Sequence, residues 1–350
     1  MKVALICPSN MLYMPYVYNY IKILDDIKAD YSVINWDRFK IEKENEFTYR
    51  DSKIGHRRNF LDYLKYCKFV LRILSKYKYD KIIVFGIQLV FFLNKYLIKD
   101  YSNRYIIDIR DYHGMIKYFN IEKVIEKSNF TVISSPGYKE WLPESDKYVT
   151  NHNTQIQGLK DLVEPDYSWK NKKKISIAYI GAIRDYKINI DFINSLKNSD
   201  RFDLYYHGEG DINKDIQEYL IRNDIKNVHL TGRYQKEDEE SLYLSSDLAN
   251  VLIPNDTINS KTLLPNRLYN AVKYGKPILA LKGTYLCEQI EKYNLGIIVD
   301  TLDNVAEHID NNLNNYDMEK YEVGRRTFFE RVIKDNNLFY SKVIDFCTNE

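Results

Sequence analysis

Short β-branched runs alternate with longer segments of helical period along most of the chain. That pattern predicts a parallel sheet covered by helices. Val3–Cys7 reads as the first strand and Tyr16–Asp26 as the helix after it. Tyr31–Asn35, Ile82–Phe85, Tyr105–Ile109 and Thr131–Ser134 read as further strands. A long helix is predicted over Asn59–Tyr79, with Phe60, Leu64, Cys67, Leu71 and Leu74 as its apolar stripe. Lys65, Lys68, Arg72 and Lys76 recur at spacings of three and four on another face.

The pattern lapses between Gly158 and Lys174, a polar stretch holding Pro165 and Lys172-Lys173-Lys174, which reads as a linker. A second alternating series follows. Strands are predicted over Ile175–Ile180, Asp203–His207, Val228–Thr231, Leu248–Ile253, Pro277–Ala280 and Ile297–Val299. Helices fall at Asp191–Lys197, Lys214–Asn223 and Asn266–Tyr274, and a long one runs from Met318 to Cys347. The fold class expected is α/β, two domains in tandem, each with its own parallel sheet. The boundaries read as 1–157, a linker 158–174, a second domain 175–335, and a final helical stretch 336–350.

A length of 350 residues suits two such domains. Formal charge is near neutral, 51 − 49 = +2, but unevenly spread. Residues 1–150 carry 25 basic and 18 acidic side chains, and residues 151–350 carry 26 and 31. The excess sits in 51–100, where 11 basic residues face 4 acidic ones. Nucleic acid, an anionic membrane or a phosphorylated substrate would each suit a basic stripe. Cys7, Cys67, Cys287 and Cys347 lie too far apart for a metal knuckle and read as packed, reduced thiols of a cytoplasmic protein. The longest uncharged apolar-rich run, Ile82–Leu93, falls short of the ~18 residues of a spanning helix. The expectation is a soluble protein, or one resting on a membrane. No P-loop, H-E-x-x-H or G-x-S-x-G motif occurs, so hydrolase and metalloenzyme readings lack support.

The segment from Thr262 to Ala280 carries the most information. Pro265-Asn266 opens a helix, Gly275 ends it, and Pro277–Ala280 is a buried strand. A helix amino end offers free amides and a positive dipole to a phosphate, and Arg267 adds a guanidinium fork. An ordinary helix–strand unit would look the same. Arg110-Asp111 ends a strand, where α/β domains place ligands, although a structural ion pair fits equally. His113 is either a general acid/base or a loop histidine. Arg57, Arg58 and the stripe Lys65, Lys68, Arg72, Lys76 form either a solvated face or the seat of a lipid-diphosphate acceptor at an anionic membrane.

The Thr262–Ala280 segment resembles the donor-site motif of GT-B glycosyltransferases of family 4, a retaining group. Gly181-Ala182-Ile183-Arg184-Asp185-Tyr186-Lys187 is similar to that family's glycine turn with the cations that grip a nucleotide diphosphate. His207-Gly208-Glu209-Gly210 and Asn227–Gly232 resemble its next two glycine loops, and Asn151-His152-Asn153 its interdomain turn. Three features depart from the family. Its paired glutamates fall on Thr262 and Asn270, Asn10–Pro15 replaces its amino-terminal Gly-Gly turn, and Arg110 stands for its pocket histidine.

The resemblance implies two Rossmann-like domains whose parallel sheets face across a cleft, the final helix 336–350 returning to the first domain, and transfer of a hexose-type sugar, with retention and without a metal or other cofactor. The donor would be a nucleotide-diphosphate sugar. The acceptor would be a glycan or an undecaprenyl-diphosphate-linked sugar in bacterial surface-polysaccharide synthesis at the inner membrane face. Nucleic acid is not an expected partner. Arg184 and Lys187 would stabilise the leaving group, with Arg110 and Asp111 as further catalytic candidates. Gly181, Gly208, Gly232, Arg233, Tyr234, Ser260, Thr262, Asn266, Arg267 and Asn270 would line the donor site. Arg57, Arg58, the basic stripe and His113 would serve the acceptor or membrane. Two other functions remain open on the same scaffold: a nucleotide-sugar epimerase, and a silent partner that binds donor or acceptor for another transferase.

Overall fold

Each expected strand forms, and two short ones join them. The strands are β1 (Lys2–Cys7), β2 (Asp30–Trp36), β3 (Thr48–Tyr49), β4 (Lys81–Phe85), β5 (Tyr105–Ile109), β6 (Phe130–Ile133), β7 (Tyr148–Thr150), β8 (Ile175–Ile180), β9 (Phe202–His207), β10 (Val228–Gly232), β11 (Leu248–Asn250), β12 (Ile278–Leu281) and β13 (Gly296–Val299). The helices are α1 (Val17–Asp26), α2 (Phe60–Tyr77), α3 (Ile87–Asp100), α4 (Ile121–Lys127), α5 (Tyr186–Leu196), α6 (Asn213–Arg222), α7 (Glu239–Leu244), α8 (Ile258–Thr262), α9 (Asn266–Lys273), α10 (Tyr285–Tyr293), α11 (Val305–Asn314) and α12 (Met318–Thr348). This computed structural model describes residues 1–349.

The chain divides into two units, one of residues 1–152 with 334 onward and one of residues 153–333. The first holds a seven-stranded sheet in the order β3-β2-β1-β4-β5-β6-β7, and the second a six-stranded sheet in the order β10-β9-β8-β11-β12-β13. The strand pairs are parallel in both. In each sheet the chain winds outward from a central strand, returns, and winds the other way. That leaves a switch point between β1 and β4 in one unit and between β8 and β11 in the other. Such reversals open crevices at the carboxyl ends of parallel strands.

Helix α2 shows how local chemistry sets the packed face. Asn59 and Asp62 form a reciprocal capping box at its start, and Lys78 ends it in the left-handed region at φ 48°. The buried face is Tyr63, Tyr66, Cys67, Val70, Ile73 and Leu74. The expected stripe is thus corrected: Phe60 lies exposed, and Leu64 and Leu71 are only half-buried. Tyr66 sets the phase, because its hydroxyl donates to the Cys7 carbonyl at 2.8 Å, with the Ile34 carbonyl at 2.9 Å.

The polar stretch 158–174 is not an open linker. Trp169 is 1% exposed in the core of the second unit, the Val163 amide donates to the Lys273 carbonyl (2.9 Å), and Arg325 Nη2 donates to the Val163 carbonyl (2.6 Å). One buried indole outweighs the polar neighbours that made the segment look solvated. Helix α12 is continuous, and its residues from 334 onward belong to the first unit, where Phe339, Val343 and Phe346 enter the core beneath α1. Trp169→Ala should therefore cost about 3–5 kcal/mol of stability in urea unfolding. A loss below about 1 kcal/mol would mean that this segment is a linker after all.

Candidate functional site

The carboxyl edge of the second sheet is built from three glycine turns on adjacent strands. Gly181, Gly208 and Gly232 follow or end β8, β9 and β10 with φ of 136°, 134° and 75°. The Gly181 amide donates to the His207 carbonyl (2.9 Å) and the Gly208 amide to the Gly232 carbonyl (2.8 Å). A Cβ on Gly208 would stand 2.0 Å from the Gly181 carbonyl oxygen. The loops therefore meet backbone to backbone, which only glycine permits there. Asn213 staples the second loop, accepting from the Gly210 amide (2.7 Å) and donating to the Gly208 carbonyl (2.9 Å). His207 Nδ1 lies 2.8 Å from Thr231 Oγ1, and burial lowers the histidine's pKa below its ordinary 6.5.

Beside this edge, Arg267 turns onto the sheet. Its guanidinium stacks 3.7 Å from the Tyr179 ring centroid, and its Nη1 donates to the Asn250 carbonyl at the end of β11 (2.8 Å). Tyr179 stacks on Tyr206 and donates its hydroxyl to the Ala182 carbonyl (2.9 Å), which ties the first glycine loop to α9. Sequence reasoning missed Tyr179 and Asn250, because nothing local to either residue marks it. Asn266 is exposed at the first turn of α9, whose preceding Pro265 supplies no side-chain cap.

Several expected donor contacts are engaged internally. The segment before α9 is not a bare loop, since α8 forms under a Thr257 cap. Ser260 Oγ lies 2.5 Å from Thr257 Oγ1, Thr262 Oγ1 donates to the Ile258 carbonyl (2.8 Å), and both residues are buried. Their hydroxyls serve the helix, which corrects their expected place in a sugar pocket. Asn270 hydrogen-bonds the buried Tyr243 hydroxyl, and Tyr234 donates to Glu239 (3.3 Å). Arg233 is exposed.

The two candidate cations differ. Arg184 is exposed and has no ion pair among the described residues; its carbonyl is held by Asn189 Nδ2 at 2.6 Å. Lys187 pairs with Asp191 (2.5 Å) and lines a groove of 880 Å³ with Asp185, Asp256, Asp300 and Asp303. A diphosphate approaching Lys187 must displace a weak exposed ion pair and face neighbouring carboxylates.

In the first unit, the strand-end pair resolves as structural. Arg110 is buried, its Nε and Nη2 donating to Asp108 (2.5 and 2.7 Å) and its other bonds reaching the Asn151 carbonyl (3.1 Å) and side chain (2.8 Å). Tyr20 donates to Asp108 (2.7 Å), and the guanidinium lies 4.5 Å over Tyr16. Burial alone would lower the arginine pKa, but Asp108 outweighs it and keeps the group charged. Beyond the pair, Asn336 accepts from Asn151 Nδ2 (3.3 Å) and the His152 amide (2.9 Å). Arg110 thus stands as the centre of a buried network instead of a cleft residue, while Asp111 is exposed. His113 caps a 3-10 turn, its Nδ1 accepting from the Met115 amide (3.2 Å), and burial lowers its pKa.

Arg58 is likewise corrected. Its side chain is 1% exposed, paired with Asp51 (2.7 Å) and bonded to the Gly55 and Lys53 carbonyls, so it cannot meet an acceptor or membrane. Arg57, Lys65, Lys68, Arg72 and Lys76 are exposed, Lys76 pairing with Glu46 (3.0 Å). Among the described residues no His, Cys, Asp or Glu cluster could hold a metal ion, and no helix is long and apolar enough to cross a membrane.

No protein-family model and no curated protein matches the chain. Solved structures do. Sucrose-phosphate synthase from Thermosynechococcus elongatus aligns over 99% of this chain and 97% of its own at 14% identity, with a TM-score of 0.68. The lipopolysaccharide outer core galactosyltransferase WaaB aligns over 98% and 100% at 16% identity and a TM-score of 0.66. Anabaena HepE, solved with UDP and glucose, aligns over 99% and 100% at 13% identity and a TM-score of 0.63. Likeness over whole chains at such identities establishes the two-domain GT-B fold that these neighbours share.

Two outcomes follow from the buried groups. Arg110→Met leaves Asp108 buried and unpaired, so urea unfolding should show a loss of about 3–5 kcal/mol. A near-neutral substitution would contradict the network. His113 and His207 sit neutral in the fold with pKa values lowered from 6.5. The unfolded chain then binds more protons below pH 6.5, so their contribution is complete above that value and is lost as pH falls through it. Melting temperature between pH 7.5 and 5.5 should decline, and His207→Gln should flatten the slope; an unchanged slope would reject the assignment for His207.

Proposed function

We propose that the chain is a glycosyltransferase that moves a hexose-type sugar from a nucleotide-diphosphate donor to a glycan or lipid-diphosphate-linked acceptor. Its place would be the cytoplasmic side of the membrane, in bacterial surface-polysaccharide synthesis. The observation that carries this reading is the ladder of glycine turns at Gly181, Gly208 and Gly232 beside the uncapped start of α9, with Arg184 projecting from the first turn. The uncapped amides that open α9 and a guanidinium without an ion pair among the described residues, beside the carboxyl edge of a parallel sheet, suit a diphosphate. The GT-B fold, and neighbours that include WaaB and the UDP-bound HepE, support the same chemistry.

Departure of the nucleotide diphosphate builds negative charge, which fixed donors and cations offset without reorganising. Arg184 supplies the main cation, and Lys187 adds its charge after releasing Asp191. Arg267 acts from behind, through Tyr179, by holding the first loop in shape. With Asn270 and Thr262 uncharged, no protein carboxylate at those positions serves as nucleophile. Front-face displacement meets that condition: the leaving phosphate takes the proton of the incoming hydroxyl, and the anomeric configuration is retained. A second reading, a silent binding partner, draws on the same two residues, since both are bonded within the chain.

A thermal-shift panel of nucleotide sugars tests binding, and product analysis by NMR tests transfer and retention. A donor at 100 times its Kd should add about 2.7 kcal/mol of apparent stability. Arg184→Ala should weaken nucleotide-diphosphate binding by about 1.5–3 kcal/mol, and Lys187→Ala by less, because its charge is already shared. Unaltered binding in Arg184→Ala would reject its role. Binding without hydrolysis or transfer would leave the silent partner.

A further inference from the structure

Buried polar atoms without a partner gather at one place in the second unit. Trp169, Tyr321 and Arg325 are 1%, 0% and 0% exposed. The Trp169 indole nitrogen, Arg325 Nη1 and the hydroxyls of Tyr167, Tyr316 and Tyr321 are buried, and none has a hydrogen-bond partner among the described residues. Trp169 meets Tyr316 edge-on with ring centroids 5.8 Å apart, and Tyr316 meets Tyr321 at 5.7 Å. Tyr167 and Tyr321 lie within electrostatic reach of Arg325 and Glu322, and Tyr316 within reach of the other two tyrosines. A Cβ on Gly275 would stand 2.7 Å from Arg325 Nη1, so the glycine leaves that nitrogen its room. An unmet buried donor loses more than a hydrogen bond gains, so five in one cluster call for a bound species that meets them.

The chemistry of these atoms narrows the species. An indole N–H and a guanidinium N–H can only donate. Burial holds the three hydroxyls protonated, pushing the Tyr167 pKa up to about 12 and those of Tyr316 and Tyr321 well above their ordinary 10. All five atoms can therefore give a hydrogen to an acceptor. Charge favours an anion among the acceptors. Arg325 Nε lies 2.9 Å from Glu322, and the same carboxylate accepts from Arg326 Nε (2.6 Å), so one glutamate serves two guanidiniums. Glu164, the further partner of Arg326 at 3.3 Å, is 81% exposed and offsets little. Rings at contact distance leave room for a monatomic ion and not for a phosphate or a sugar. Tyr316 also lines an open cavity of 410 Å³ with Gly296 and Lys320, which gives the cluster an edge on solvent.

We propose that Tyr167, Trp169, Tyr316, Tyr321 and Arg325 bind a small monovalent anion of the halide class. The ion accepts from the indole, the guanidinium and the hydroxyls, and it balances the second guanidinium that Glu322 alone does not. It fastens the segment around Trp169 to α12, beside the bond from Arg325 Nη2 to the Val163 carbonyl (2.6 Å). Trp169 precedes β8, Gly275 precedes β12 and Gly296 opens β13, so the site stands at the amino edge of the second sheet, opposite the glycine turns. It is independent of the transferase reading. An ordered water cluster would satisfy the same hydroxyls without answering the charge, and salt dependence separates the two.

Thermal unfolding of the full chain in potassium chloride, potassium bromide and potassium gluconate at equal ionic strength tests the proposal. Gluconate is too large for the site. The melting temperature should be about 3–5 °C higher in either halide than in gluconate, and the gain should follow a one-site saturation curve. Tyr321→Phe keeps the ring and removes one hydroxyl. It should weaken the apparent halide affinity about tenfold while its melting temperature in gluconate is unchanged or higher. Tyr316→Phe should act in the same direction. Crystals grown in bromide should show an anomalous peak within hydrogen-bonding distance of Arg325 Nη1 and Trp169 Nε1. Equal melting temperatures of the wild type in the three salts overturn the proposal. A loss of stability in Tyr321→Phe that is equal in all three salts also overturns it, and assigns the hydroxyl to water. An equal gain in all three overturns it as well, since the hydroxyl then meets nothing.

Discussion

In both sheets the central strands are buried on both faces, and that constraint governs where any polar chemistry can go. Val3–Cys7 and Ile82–Phe85 are fully covered, as are Ala178–Ile180 and Leu248–Asn250 in the other unit. A strand in that position can spend its backbone only on its neighbours, and its side chains only on packing. Charged groups are therefore pushed to the strand ends. There the first turns of the following helices also leave amides without intrahelical partners.

The two units answer this constraint differently. In the first, the end of β5 is closed by a salt bridge buried among Tyr16, Tyr20 and Asn151, and the cations that remain free lie outward on loops and on α2. A buried pair of this kind contributes little net stability, but losing one partner is costly, so it fixes the geometry of β5, β7 and α1 together. In the second, the strand ends turn on glycine: the Gly181 carbonyl fills the space a side chain on Gly208 would take, whereas nothing lies within 4 Å of where a Cβ on Gly181 or Gly232 would stand. Beside that edge, Arg267 is turned onto Tyr179. Arg184, exposed and without an ion pair among the described residues, is the cation nearest in sequence to the first of these turns.

An acidic groove beside Lys187 adds a further constraint. Asp185, Asp256, Asp300 and Asp303 lie around it, and Lys282 pairs with Asp300 at 2.8 Å. An anion placed at the glycine turns is repelled from this side and favoured towards α9.

Much of this was legible in the chain alone, and the division follows the range of the forces involved. Strand runs, the capped helix α2 and the glycine turns depend on side chains a few residues apart, so period and local propensity report them. Two-residue β3 and three-residue β7 left no period to detect, and α3 lay hidden because its apolar run is continuous with that of β4. The fate of the polar candidates depended on partners far along the chain. Arg110 is claimed by Asn151, 41 residues away, Arg267 by Asn250, 17 away, and segment 163–169 by α12, 162 away. Two parallel α/β units and the positions of their strand-end turns were already written in the chain, because those follow from near-neighbour sterics and burial. Which charges stay exposed and which are paired emerged with folding, because a charge is engaged by whatever group folding brings within about 3 Å of it.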